Sequence, residues 1–206
     1  MTIKITREVA AKVLSVVDAG LVKGLGEAGP GKGCVEAAVC YALGLPHGDD
    51  PQCVAPALRS FKIRLNDSNW SSEKARANGL RRLALVQLGS VRHLDEGEFI
   101  RRIVDLAIRK AVPSALRVAA SVHKDPKHQA SLMAAAERCE KEGTRQAALA
   151  AYAAAAAAYA ACDAASKKER ATTRDKALAG YAEDVVKILI DMKVPGVQWL
   201  DLAAAS

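Results

Sequence analysis

No stretch of this sequence approaches the roughly 18 uncharged apolar residues that a membrane-spanning helix requires, which excludes a helical membrane protein. The first twenty residues also lack the apolar core and small-residue cleavage site of an export signal. Glu8 sits there among Lys4, Arg7 and Lys12, and Ser15 breaks the longest apolar stretch. Without export, Cys34, Cys40, Cys53, Cys139 and Cys162 are expected as thiols or metal ligands in a reducing compartment, and the cytoplasm is the expected location. Period-two alternation of apolar and polar residues is missing too, which removes β-strands as the main element. Aromatic residues make up only 4 % of the chain, and within its basic central segment only Phe61, Trp70 and Phe99 offer a face on which a base would stack.

What is present is apolar residues at three- and four-residue spacing, in a chain of 206 residues that is half apolar and a quarter charged. Such a chain buries a core as one domain or two small ones and is not expected to be disordered. A first helix is expected from Thr6 to Lys23, ending in the glycines and proline of Gly24–Gly33, which no helix accommodates. A second runs from Cys34 to Gly44, a third from Cys53 to Leu65, and a fourth from a cap at Ser71 or Ser72 to Leu88. Asp49 and Asp50 are expected to cap the third helix, and Asn66 and Asp67 to close it. Asp95 with Glu98 opens a helix that Pro113 must interrupt or kink, and Asp125-Pro126 opens another. From there to Ser166 the chain is rich in alanine, which favours helix but buries little area per residue. Lys167–Lys176 is charged, with Thr172-Thr173 as a weak point. A last helix from Lys176 to Met192 then leads to a tail that docks Trp199 and its leucines. The expectation is an all-α protein: a multi-helix orthogonal bundle over residues 1–122, followed over 123–206 by a long alanine-rich hairpin or arm. The small-residue face of that arm also suits a homo-oligomer.

The formal net charge is +7. Ala57–Arg117 holds thirteen Lys plus Arg against six Asp plus Glu, an excess equal to that of the whole chain. A basic segment of this kind attracts phosphates or acidic surfaces, so an acidic protein or a nucleic acid is the expected partner class. Lys32, Arg64, Arg81, Arg82, Arg101 and Arg102 are the candidate contacts. Arginines and lysines on helices more often form a solvated face.

The glycine-rich loop matches two nucleotide motifs by letter only. Gly24-Leu25-Gly26-Glu27-Ala28-Gly29 has the dinucleotide spacing but follows a helix rather than a strand, and Gly26–Gly33 resembles a phosphate loop with Gly33 where a magnesium-binding hydroxyl belongs. No nucleotide cofactor is expected. Cys34 lies at the start of a helix beside Lys32, a setting that lowers a thiol pKa. With Glu36, His47 and Asp49 close in sequence, a thiol-dependent hydrolase or transferase is the enzymatic reading, with His47 the natural base. The plainer reading makes Cys34 and Cys40 small core residues. Cys34, Cys40, His47 and Cys53 are also four soft zinc ligands within twenty residues. They lack a C-x-x-C pair, however, and about 600° of helix rotation separates Cys34 from Cys40, so no metal is expected.

The block Pro30-Gly31-Lys32-Gly33-Cys34-Val35-Glu36-Ala37-Ala38-Val39-Cys40-Tyr41, followed by Gly44–Cys53, Arg64-Leu65-Asn66-Asp67 and Leu88-Gly89-Ser90, resembles a widespread group of uncharacterised proteins of bacteria and their phages. Members of that group pair a C-V-x-E-A helix and a D-x-P-x-C turn with an N-D helix end and an alanine-rich tail. The resemblance covers roughly residues 20–90 and singles out Cys34, Glu36, Asp49, Pro51, Cys53, Asn66 and Asp67; it departs at Gly33, where a methionine is expected. It implies a bacterial or phage origin and a place for a site, but no reaction. Two functional readings follow: a helical binding protein that presents a basic surface, and a thiol-dependent enzyme built on Cys34.

Overall fold

The computed structural model describes residues 4–160 and 167–204. Among them the fold is all-α, without strands. Helix α1 (Arg7–Asp18) starts where Thr6 Oγ1 accepts the Val9 N–H at 3.4 Å, and it buries Ala10, Val13, Leu14, Val16 and Val17. It stops earlier than the expected Lys23, because the chain turns back at Gly20, whose φ is +128°. The glycine loop then closes on itself: Val22 N–H bonds Gly33 O at 3.1 Å and Glu27 N–H bonds Lys32 O at 2.8 Å. Gly26 is required in this closure, since a Cβ there would stand 2.1 Å from Lys32 O.

Helix α2 (Val35–Leu43) ends at Gly44 in the left-handed conformation. Helix α3 (Pro56–Asn66) begins three residues later than expected, because the Cys53 N–H folds back onto Pro51 O in a γ-turn with Gln52 at φ +50°. Neither Asp49 nor Asp50 caps it. Glu96 does so from the next helix but one, its Oε2 accepting the Ala57 N–H at 2.5 Å. Helix α4 (Glu73–Val86) is capped by Ser72, while Ser71 donates its N–H to Asp175.

Helix α5 (Glu96–Leu106) continues into α6 (Val112–Val122) through a π turn at Ala107–Ala111, where the Val112 N–H reaches back five residues to Ala107 O. Pro113 has no N–H to offer the preceding turn, and the helix accommodates it by widening instead of breaking. Helices α7 (Pro126–Glu142) and α8 (Arg145–Ala160) follow. Helix α9 (Lys167–Asp191) then runs straight through Thr172-Thr173, the expected weak point. The chain ends in a 3₁₀ turn (Pro195–Trp199) and the short helix α10 (Asp201–Ala204).

The chain divides into two compact units, Met1–Ile100 with Ala171–Ser206, and Arg101–Arg170. The boundary expected near residue 122 falls inside the second unit, at the turn between α6 and α7. In the first unit α1 packs on α2 and α4 around Leu21, Leu58, Leu80, Leu83, Leu85, Leu88 and Leu189. Phe61, Trp70 and Phe99 join this interior instead of standing ready to stack on bases. Phe61 meets Phe99 and Tyr181 edge-on, and Trp70 donates its Nε1–H to Leu65 O at 2.9 Å. The C-terminal segment docks here too. Gly196 lies so close to α4 that a Cβ would be 2.3 Å from Val86 O, and Arg7 pairs with Asp201 at 2.6 Å.

The second unit packs α6, α7 and α8 around Leu116, Ala120, Leu132, Ala136, Cys139, Ala147 and Ala151. The alanine-rich helix is thus one wall of a small three-helix core. Cys162 lies outside the described residues.

Candidate functional site

Glu36 on α2 and Lys62 on α3 meet in the middle of the first unit. Neither side chain has any exposed surface, and Nζ lies 2.7 Å from Oε1. The contact is an ion pair without hydrogen-bond alignment; neither carboxylate oxygen nor Nζ has a hydrogen-bond partner, and Arg59 adds its attraction to the carboxylate. Burial pushes the Glu36 carboxyl up and the Lys62 ammonium down from their ordinary pKa values, against the attraction each exerts on the other. Cys34 and Cys53 both feel this pair, and Cys40 stands within reach of Glu36 and of the other two thiols. Three of the cysteines therefore do converge, but around a buried ion pair.

This setting makes poor nucleophiles. Cys34 is the N-cap of α2, its Sγ accepting the Ala37 N–H at 3.4 Å. Burial nevertheless pushes its pKa up, outweighing the helix-end N–H groups that pull the other way. Cys53 is raised for the same reason, and Cys40 is pushed up to about 11. His47, the natural base partner, is exposed, with Nε2 3.0 Å from Gly26 O, so it fastens the 44–51 turn to the glycine loop. Asp49 is exposed, and Asp50 is held by Arg59 at 2.6 Å. Among the described residues no group of three or more His, Cys, Asp or Glu side chains is placed to hold a metal ion.

Asn66 and Asp67 do more than close a helix. Asn66 Oδ1 accepts the Val35 N–H, its Nδ2 donates to Val22 O at 2.9 Å, and Asp67 Oδ1 accepts the Gly24 N–H at 2.8 Å. Buried Arg76 adds bonds of 2.8 Å to Asn66 O and Leu21 O. Together these groups hold the glycine loop and the start of α2. In the sequence Asn66-Asp67 reads as a pair of local caps, and Arg76 and Lys62 pass unmarked, because nothing local distinguishes a buried cation from a solvated one.

The basic candidates fare unevenly. Lys32 and Arg64 are exposed. Arg81 is held by both oxygens of Asp18, at 2.7 and 3.1 Å, and by Ala203 O at 2.6 Å. Arg82 pairs with Glu183 at 2.5 Å. Both therefore bind parts of the first unit together. Arg101 is exposed and Arg102 half-buried, at the start of the second unit. The charge itself is partitioned: residues 101–170 carry thirteen Lys plus Arg against seven Asp plus Glu, whereas the rest of the chain carries seventeen against sixteen. In the second unit Lys124, Lys127, Lys141 and Arg145 are all exposed.

Cys53 also lines a cavity of about 500 Å³ in the first unit, a feature the sequence does not announce. The Gln52 γ-turn forms one side, the loop of Leu88, Gly89, Val91, Arg92 and His93 a second, and Pro195, Gln198 and Trp199 a third, with Ile5 nearby. Val91 N–H to Cys53 O at 3.2 Å and Ala55 N–H to Ser90 Oγ at 2.9 Å tie the first two sides together. Gln52 and Arg92 both have positive φ, at +50° and +63°. The Pro51-Gln52-Cys53 and Leu88-Gly89-Ser90 segments were marked in the sequence, but the left-handed conformation of a glutamine and an arginine has no local signature. No protein-family model, curated protein or solved structure matches this chain.

Proposed function

We propose that this chain is a helical binding protein whose basic second unit docks on the phosphate backbone of a nucleic acid. The observation that carries this reading is the charge partition: nearly all of the positive excess lies in residues 101–170, on a small helical unit with exposed cations on α7, on α8 and in the turn before α7. Phe61, Trp70 and Phe99 are packed in the first unit, and the second exposes Tyr152 on α8, so phosphates supply the main contact. Against the thiol-dependent reading stand the burial of Cys34 and Cys53, their raised pKa values and the engagement of His47 elsewhere.

The test is duplex DNA binding across a salt series. Four phosphate contacts imply a log–log slope of about −3.6, so affinity should fall on the order of a hundredfold between 50 and 200 mM salt. Reversing Lys124, Lys127, Lys141 and Arg145 to Glu should abolish binding while leaving the helical content intact. No binding at low salt, or binding indifferent to salt and to these four changes, sinks the nucleic-acid reading.

A further inference from the structure

We propose that the cavity beside Cys53 binds a small organic anion, a carboxylate or phosphate ester with an apolar part. Its volume of about 500 Å³ lies within the range of small-molecule sites. The lining contains no acidic residue. It offers Arg92 and His93 at an exposed rim and apolar surface from Leu88 and Pro195, while Gln52 Nε2 donates to Asp50 Oδ2 at 2.6 Å and Gln198 Nε2 to Pro195 O at 2.9 Å. Arg92 thus supplies the charge that suits an oxyanion, and the remaining wall suits a hydrocarbon or ring.

Two further observations concern the wall of this cavity. The Nε1–H of Trp199, another lining residue, is buried without a hydrogen-bond partner. Nε1 has no accessible surface, so a ligand in the cavity is sensed by this ring through contact with the indole and not through a bond to its nitrogen. The backbone is also strained at this cavity. The described residues other than glycine have positive φ at Gln52, Arg92 and Lys193; the first two line the cavity and the third stands two residues before Pro195. Left-handed glutamine and arginine are costly conformations, and strain of this kind persists at ligand sites because it aims a side chain. At φ +63° a glycine would be the comfortable residue at position 92, yet it would remove the cation.

This inference rests on the first unit and is independent of nucleic-acid binding by the second. It is tested on the full chain with phenyl phosphate and benzoate as probes and benzylamine as the cationic control. The readout is the two tryptophan indole signals in a ¹⁵N–¹H spectrum, assigned with Trp199→Phe. The expected result is a saturable shift of the Trp199 signal by one or both anions, with the Trp70 signal, already bonded to Leu65 O, unmoved. Benzylamine should bind at least about tenfold more weakly. Arg92→Gly should keep or raise the melting temperature and lose about tenfold in affinity, because it relieves strain while deleting the cation. His93→Asn, a change at an exposed position, should weaken the same probes without affecting folding. The proposal is overturned if neither anion shifts the Trp199 signal at millimolar concentration, if benzylamine binds equally well, or if Arg92→Gly and His93→Asn both bind like the parent.

Discussion

Glu36 and Lys62 face each other wholly buried and without a further hydrogen-bond partner, so each is the main compensation for the other's charge. Removing one partner strands a charge in the core. Glu36→Gln or Lys62→Met should therefore cost about 3–5 kcal/mol each, read from the urea midpoint. Combining Glu36→Leu with Lys62→Met in one chain should cost less than either single change, since an apolar pair of similar volume needs no charge compensation. Two small, additive losses would mean that the pair is not coupled. The cysteines around it set an alkaline limit. Their folded pKa values are raised, so the stability they contribute is complete below the ordinary thiol value of about 8.5 and is lost as pH rises through the folded values, about 11 for Cys40. Unfolding free energy should decline across that window. Alkylation of Cys34, Cys40 and Cys53, mapped by peptide mass spectrometry at a pH of about 8.5, should stay slow until denaturant is added. Rapid labelling of Cys34 in the native chain would restore the thiol-dependent reading.

Helix ends were the part of the fold most readable from local chemistry. Thr6, Ser72 and Asp125 cap α1, α4 and α7 where their side chains predict, and Gly44 ends α2 in the left-handed conformation, whereas the break at Gly143 between α7 and α8 falls inside what reads in the sequence as one alanine-rich run. Pro113 was readable as a disturbance, but whether a helix breaks or widens depends on what packs along both flanks. The end of α7 carries a device no sequence rule anticipates. Arg109, on the π turn, donates to Glu140 O at 2.6 Å, Lys141 O at 3.1 Å and Glu142 O at 3.2 Å, so its cation covers the terminal carbonyls where the helix dipole is negative. A Cβ at Gly143 would sit 2.3 Å from that guanidinium, at a φ of +63°. Gly143→Ala should consequently destabilise the second unit by about 1–3 kcal/mol, and Arg109→Ala by about 1 kcal/mol, both followed by thermal unfolding in far-ultraviolet circular dichroism. A neutral Gly143→Ala would show that Arg109 does not hold this end.

The whole molecule sets two differently built cores in one chain. The first unit buries many leucines and valines, whereas the second relies on two leucines, a cysteine and alanines, and alanine removes little apolar area from water. The second unit should therefore open at lower free energy. In native-state hydrogen exchange, amides of α6, α7 and α8 should exchange faster than those of α1 and α4; equal protection would show that the two open together. The basic excess falls on this alanine-built unit, while Arg76, Arg81 and Arg82 serve as internal ties of the other. The cations of Ala57–Arg117, adjacent in sequence, are thus divided between two units and different contacts.

Composition and spacing alone determined the all-helical class, the glycine-rich loop, the alanine-rich helices and most helix starts, because each depends on groups within about four residues of one another. The meeting of Glu36 with Lys62, the bracing of the glycine loop by Asn66, Asp67 and Arg76, and the cavity joining residues near 52, 90 and 197 were decided only by tertiary structure. Those contacts link positions tens to more than a hundred residues apart. A lysine that will be buried carries the same local pattern as one that will face water, and the difference arises only when α2 and α3 close over it.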